Sequence, residues 1–170
     1  ATMEKKYNEN KPIHTGDPVV EAKRACIEHR AIWMALLLDE VRKAGGDMEK
    51  IGRAAINRCG CFQAVANYKD HMKDPNSMKE FGDIFVAEPV TFENKVVNID
   101  DEEVHVEMHY CPLLTAWRKL GFSDEDCALF CDIAMEGDRQ FARDMNAEFS
   151  LPKKIAEGDD CCDLKFSRKK

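Results

Sequence analysis

The stretch Val104–Leu113, reading VHVEMHYCPL, decides how the rest of the chain is read. Successive side chains of an extended segment point to opposite faces. Val104, Val106, Met108 and Tyr110 therefore share one face, and His105, Glu107, His109 and Cys111 share the other. One face is apolar and fit for a core, while the other carries polar groups spaced roughly 7 Å apart along the strand. Pro112 lacks an amide proton and ends the ladder. Two readings of the polar face stand at this point. It is either a solvated strand face or a pocket wall and metal half-site, with His105, His109 and Cys111, and Glu107 as a further donor, holding zinc or another divalent ion.

Working outward, the segment before this strand reads as helical. Asp17 followed by Pro18 supplies an N-cap and a first-turn proline, and apolar residues from Val19 to Val41 recur at helical spacing until Gly45 and Gly46. A second helix is expected from Asp47 to about Tyr68, with Gly52 and Gly60 marking close packing or a kink. A short one is expected over 78–85. Val90–Glu93 and Lys95–Ile99 read as strand pieces, followed by an acidic turn over 100–103.

After Pro112 the pattern predicts a short helix to Leu120, then a long one from Asp124 to about Phe149. Ser123 caps that long helix, and carboxylates in its first turn favour its positive end. On a continuous helix Cys127, Cys131, Met135, Asp138 and Met145 fall on one stripe. An acid on an apolar stripe must be paired or face a cavity. For Asp138 the readings are an ion pair with Arg139 or another nearby base, or a functional acid. Phe149–Ile155 and Cys161–Ser167 form an expected hairpin with Cys162, Leu164 and Phe166 on its apolar face.

The chain has 170 residues, 44% hydrophobic and 34% charged, a composition that suits one globular domain. Its net charge of −7 argues against a nucleic-acid or anionic-membrane surface, which selects for clustered Lys and Arg. No apolar run reaches the roughly 20 residues of a membrane span. The polar, charged residues through Lys11 do not read as a secretory leader. These features set the expectation of a cytoplasmic protein whose eight cysteines stay reduced.

With those motifs in view, a resemblance can be stated. The order of His109-Tyr110-Cys111-Pro112-Leu113-Leu114, of Leu129-Phe130-Cys131-Asp132 with Asp138 beyond it, and of Glu157-Gly158-Asp159-Asp160-Cys161-Cys162-Asp163-Leu164-Lys165-Phe166 resembles the L-2-amino-thiazoline-4-carboxylic acid hydrolase family. The similarity is strongest over the C-terminal 80 or so residues and extends to the helical half in layout. It implies a single α+β domain, helices packed on a small antiparallel sheet, and a ring-opening hydrolase. Cys162 matches the family's cysteine near the last strand, which leaves Cys161 as an additional thiol.

The expected organisation is a flexible N-terminus over 1–16 and one domain over 17–167, helical over about 17–88 and sheet plus helix over about 89–167. A basic tail follows over 168–170. The expected function is hydrolysis of a thiazoline-type ring by a cysteine nucleophile or a metal-bound water. Cys111 is the first candidate nucleophile, activated by His109 or His105, and Cys131 is the second, with Asp138 as acid or orienting group. Arg118, Arg139 and Arg143 are candidates for the substrate carboxylate by position alone. A small molecule is the expected partner, with a homodimer through Trp33, Met34, Leu37 and Leu38 as a further expectation. The competing class is a non-catalytic domain that senses a small molecule, a metal or redox state.

Overall fold

A computed structural model describes residues 8–170. Two antiparallel helices open it, α1 (Pro18–Lys43) and α2 (Met48–Gln63), and α2 runs on through one π-helical turn at Ala64–Tyr68. Then follow α3 (Met78–Phe85), β1 (Asn94–Ile99), β2 (Glu103–Met108), α4 (Pro112–Lys119), α5 (Asp124–Ala134), α6 (Glu136–Asp144), β3 (Ala147–Ser150) and β4 (Cys162–Arg168). The four strands form one antiparallel sheet in the order β1-β2-β4-β3. This is the α+β architecture expected from the sequence.

The helix starts follow local chemistry. Asp17 accepts from the Val19 and Val20 amides, Ser77 from Glu80 and Ser123 from Asp126. Each satisfies an orphan donor of a first turn.

The core has two parts. One is helical and gathers Ala35 and Leu38 of α1, Leu114 and Trp117 of α4, Phe130 and Cys131 of α5, and Ile155. The other lies between the sheet and α3 with α6, and gathers Phe81, Val104, Val106, Phe141, Leu164 and Phe166. Alternation on β2 holds as read, since Val104 and Val106 are fully buried while His105 and Glu107 lie on the opposite, half-exposed side. The sheet therefore covers the core with one face and turns the other to solvent.

Two glycines allow this packing. A Cβ on Gly82 would stand 2.6 Å from Val104 Cγ2, so α3 can lie on the sheet only because none is there. A Cβ on Gly60 would stand 3.0 Å from Gly137 Cα, which identifies the close crossing of α2 over α6. The helical glycines thus mark packing rather than a kink.

Several sequence expectations are corrected. The helix expected from Asp124 to Phe149 is two helices, because the chain breaks at Met135 (φ −69°, ψ −4°) and Ala147–Ser150 is a strand. Local periodicity does not register a one-residue break of this kind. Val90–Glu93 forms turns instead of strand. Its Phe92 and Glu93 carbonyls accept from Tyr110 and His109, which takes the chain off the β2 ladder after Met108.

The N-terminal segment is the largest difference. Residues 1–7 lie outside the described residues, but 8–16, expected to be flexible, are docked. Asn8 donates to the Asp159 carbonyl (2.6 Å), and the Ile13 and His14 amides donate to Glu93 (2.7 and 2.9 Å). Glu93 in turn pairs with Arg24 at 3.2 Å, with both side chains only 6% exposed. Arg24 also reaches the carbonyls of His14, Val90 and Thr91, and lies 4.6 Å from the ring centroid of Tyr110. A buried guanidinium with this many acceptors is compensated for its loss of water.

Candidate functional site

Because the ladder ends at Met108, Cys111 does not continue the His105–Glu107 face. It is the N-cap residue of α4, with φ −128° and ψ 105°, and its side chain packs against the helical core. Met108 is the register partner of Cys162, so the end of β2 and the start of β4 lie side by side. Cys131 comes to the same place from α5. Cys131 senses the charge of Cys111 and Cys162, and Cys162 that of Cys111, so three thiols from three segments share one region.

Their electrostatics differ. Burial pushes the Cys131 thiol well above its ordinary range and pushes Cys162 up to about 12. Burial raises Cys111 as well, but the Leu114 and Leu113 amides and the Arg30 and Arg118 guanidiniums all oppose it. Helix N-terminal amides and nearby cations favour a thiolate. Cys111 is the thiol of the three that these groups surround.

Asp138 sits in the first turn of α6. Burial raises its carboxyl to about 7, opposed by its own amide and by Arg30 and Arg139. Its side chain keeps some solvent contact although protein crowds it. The expected ion pair with Arg139 does not form. Arg139 instead bonds Asp132 and Glu136, each at 2.6 Å, and Arg53 closes the same network on both acids. Among the described residues Asp138 has no ion-pair partner.

Arg30 is the residue that sequence reading missed. It projects from α1, is exposed, and has no hydrogen bond or ion pair among the described residues. Its charge nevertheless lowers the thresholds of Cys111, Asp138 and Tyr68 together. The three arginines proposed by position are bonded to groups of the protein itself. Arg118 donates to the Asn8 carbonyl (2.6 Å), Arg143 donates to Gln140 (2.9 Å), and Arg139 belongs to the network just described. No local pattern marks Arg30, because on α1 it reads as one more exposed cation of a surface helix.

Tyr68, placed by the π-helical turn, completes the group. Its hydroxyl is raised by burial and by Asp138, and its ring contacts Phe81, Phe85 and Phe141. Single π turns often occur at functional sites.

The histidines lie elsewhere. His105 is 2.5 Å from Asp163 on the solvent face of the sheet. His109 is exposed and 3.2 Å from Glu107, so it does not flank Cys111. His105, His109 and Cys111 therefore do not form a common donor set, and no group of three His, Cys, Asp or Glu side chains among the described residues is placed to hold a metal ion. The strand alternation that suggested such a set ends at Met108, one residue before His109 and three before Cys111.

Fold and site together define an α+β domain that collects thiols where the open end of its sheet meets α4 and α5, with a free guanidinium and a protonatable acid nearby. The chain belongs to the L-2-amino-thiazoline-4-carboxylic acid hydrolase family, whose sequence profile matches residues 24–166. The match spans both halves of the domain, including Arg30, Cys111, Cys131, Asp138 and Cys162. The family name is that of a hydrolase acting on a thiazoline carboxylic acid. No curated protein and no solved structure matches the chain. No helix among the described residues is long and apolar enough to cross a membrane.

Proposed function

We propose that the protein opens a thiazoline-type ring by hydrolysis, with Cys111 as nucleophile, Asp138 as proton donor and Arg30 as the anchor for the substrate carboxylate. The observation that carries this reading is the position of Arg30, an unpaired cation whose field reaches both the Cys111 thiol and the unpaired acid.

The reaction balances with these groups. Cys111 Sγ adds to the amidine-like carbon between ring nitrogen and ring sulfur, and its proton goes to the ring nitrogen. The bond from that carbon to the ring sulfur breaks, and the sulfur leaves with its electron pair and takes a proton from Asp138. A water then adds to the same carbon, giving one proton to the Asp138 carboxylate, and the carbon–Sγ bond breaks as the new hydroxyl becomes a carbonyl and passes its proton to Sγ, restoring the Cys111 thiol. The net change is addition of one water, with a free thiol and a urea-type group on the product. Asp138 suits this alternation because an acid with a value of about 7 both gives and accepts a proton near neutrality. Cys131 is closed off from solvent where Cys111 is half-buried, and it lacks the opposing amides, which makes it the weaker nucleophile.

The deciding experiment is release of free thiol from L-2-amino-thiazoline-4-carboxylate, corrected by a substrate-free control for the protein's own cysteines. Saturable release that Cys111→Ser abolishes supports the reading. Saturable release by Cys111→Ser at the wild-type rate overturns the nucleophile. No release by folded wild-type protein moves the assignment to a different ring substrate or to a binding-only domain. A reducing, cytoplasmic setting accompanies this proposal because the nucleophile must remain a thiol. A homodimer would form through the exposed Trp33 and Leu37 of α1 rather than through Leu38, which is buried.

A further inference from the structure

Asn10 has three unusual properties at once. It is 6% exposed in a segment preceding the first helix, it is not a glycine yet has φ +53°, and its carboxamide is committed to one other residue's backbone. Its Nδ2 donates to the Cys111 carbonyl (2.8 Å), and its Oδ1 accepts from the Cys111 amide (2.9 Å). Both peptide groups of the capping cysteine are held by one side chain, 101 residues away in sequence. A further bond from Nδ2 to Thr115 Oγ1 (3.0 Å) ties the same carboxamide to the first turn of α4, and Thr115 donates on to the Tyr110 hydroxyl (3.1 Å).

Asn10 is itself fixed from outside. Its amide donates to Asn8 Oδ1 (2.7 Å), and the flanking strap is tied by Asn8 to the 159 carbonyl and by residues 13 and 14 to Glu93. A left-handed, buried, non-glycine residue persists only where its surroundings over-determine it. Here the surroundings are a strap anchored on both sides of Asn10.

We propose that Asn10 is the positioning residue of Cys111, its carboxamide clamping both peptide groups of that cysteine so that the thiol is held at the N-terminus of α4. The proposal rests on the reading of Cys111 as nucleophile only for its consequence in turnover. The clamp itself concerns where the thiol sits. Nucleophiles need positioning within about 0.5 Å by a supporting shell, and an N-cap residue whose own peptide groups are loose cannot hold its side chain in one place beside the first turn of the helix.

The test uses Asn10→Gly, since glycine adopts the positive φ without strain and removes only the carboxamide. Two readouts are taken on the full chain. The first is the pH profile of iodoacetamide alkylation at Cys111, followed on the tryptic peptide 96–118, in which Cys111 is the only cysteine. The second is kcat and KM for thiol release. The expected result is a midpoint of Cys111 alkylation raised by about one pH unit and kcat lowered about 10- to 100-fold with KM changed less than about threefold. Thr115→Val, which leaves the Cys111 clamp in place, is expected to leave the alkylation midpoint unchanged.

A folded Asn10→Gly with wild-type midpoint and kcat overturns the proposal. So does a midpoint shift equally large in Thr115→Val, because the effect would then belong to the α4 turn. Should Asn10→Gly not fold, Asn10→Asp gives the same decision. It keeps the shape but replaces the donor to the Cys111 carbonyl with an acceptor, and an unshifted midpoint there overturns the clamp. If Cys111→Ser retains turnover, the nucleophile reading fails while the alkylation profile still decides the clamp.

Discussion

The two sides of β2 carry similar chemistry and use it differently. On the solvent side, each titratable group finds a neighbour close by: His105 meets Asp163, His109 meets Glu107, and Lys95 meets Glu107 at 3.1 Å. Lys95 and His109 hold the Glu107 carboxyl below its usual range. At the inner end, around Cys111, the groups come from α1, α4, α5, α6 and β4 and several are left unpaired. Paired surface groups satisfy one another, whereas an unpaired acid and an unpaired guanidinium near the Cys111 thiol retain their capacity for a ligand. The conspicuous polar face in the sequence is therefore the paired one.

Substitutions can break that contrast, and the largest effect expected is in turnover. Cys111→Ser should lower kcat at least about 1,000-fold in thiol release, whereas His105→Ala and His109→Ala should stay within about threefold. Equal losses from Cys111 and His105 would place the chemistry on the wrong side of the sheet.

Next comes the difference between buried and exposed ion pairs. Removing Glu93 leaves Arg24 buried without its carboxylate, and Glu93→Ala should destabilise by about 3–5 kcal/mol in denaturant unfolding. Glu107→Ala, on the outer face, should leave the unfolding midpoint nearly in place.

Asp138 offers a pH test with a definite sign. Its carboxyl is raised to about 7 in the folded chain from an ordinary value of 3.8. Between those values the native state holds a proton that the unfolded state has lost, so this group makes stability fall as pH rises from about 4 to about 7. Asp138→Asn should therefore gain roughly 2–4 kcal/mol relative to wild type at pH 8 and nothing at pH 3. In turnover, wild-type kcat should fall above pH 7 as the acid form is lost, and the variant should be slower with that limb absent.

The smallest effect is expected at the substrate anchor. Arg30→Ala should raise KM about 10- to 30-fold with kcat little changed, and Arg30→Lys should recover part of it, since lysine offers the charge without the planar fork. Arg143→Ala, an exposed arginine already bonded to Gln140, is the matched control and should change neither constant.

Much of the fold was legible because its signals are local. Asp17-Pro18, Ser77 and Ser123 each cap a helix where the sequence indicates, and the alternation from Val104 to Met108 and from Cys162 to Phe166 predicts which sides are buried. The break at Met135 was not legible, because nothing in the 124–149 periodicity distinguishes one long helix from two that change direction to follow α2 and the sheet. Of the candidate site, the sequence nominates Cys111 as the end of a strand beside His109 or His105, a relation that the end of β2 at Met108 removes, and nominates Cys131 and Asp138 by their spacing on an apolar stripe. Arg30 and Asn10 could not, since an exposed helical arginine and an asparagine in a polar leader are ordinary in isolation.

By itself the sequence determined most of the element types, the buried side of β2 and β4, the helix caps and the family, all of which depend on neighbours within a few residues or on motif order. The tertiary structure alone decided which polar groups are satisfied and which are left free. That choice depends on segments far apart in the chain: Glu93 takes Arg24, Asp132 and Glu136 take Arg139, and Asn10 takes Cys111 across 101 residues. Pairing removes the groups that chemistry cannot use, and only packing determines the pairs.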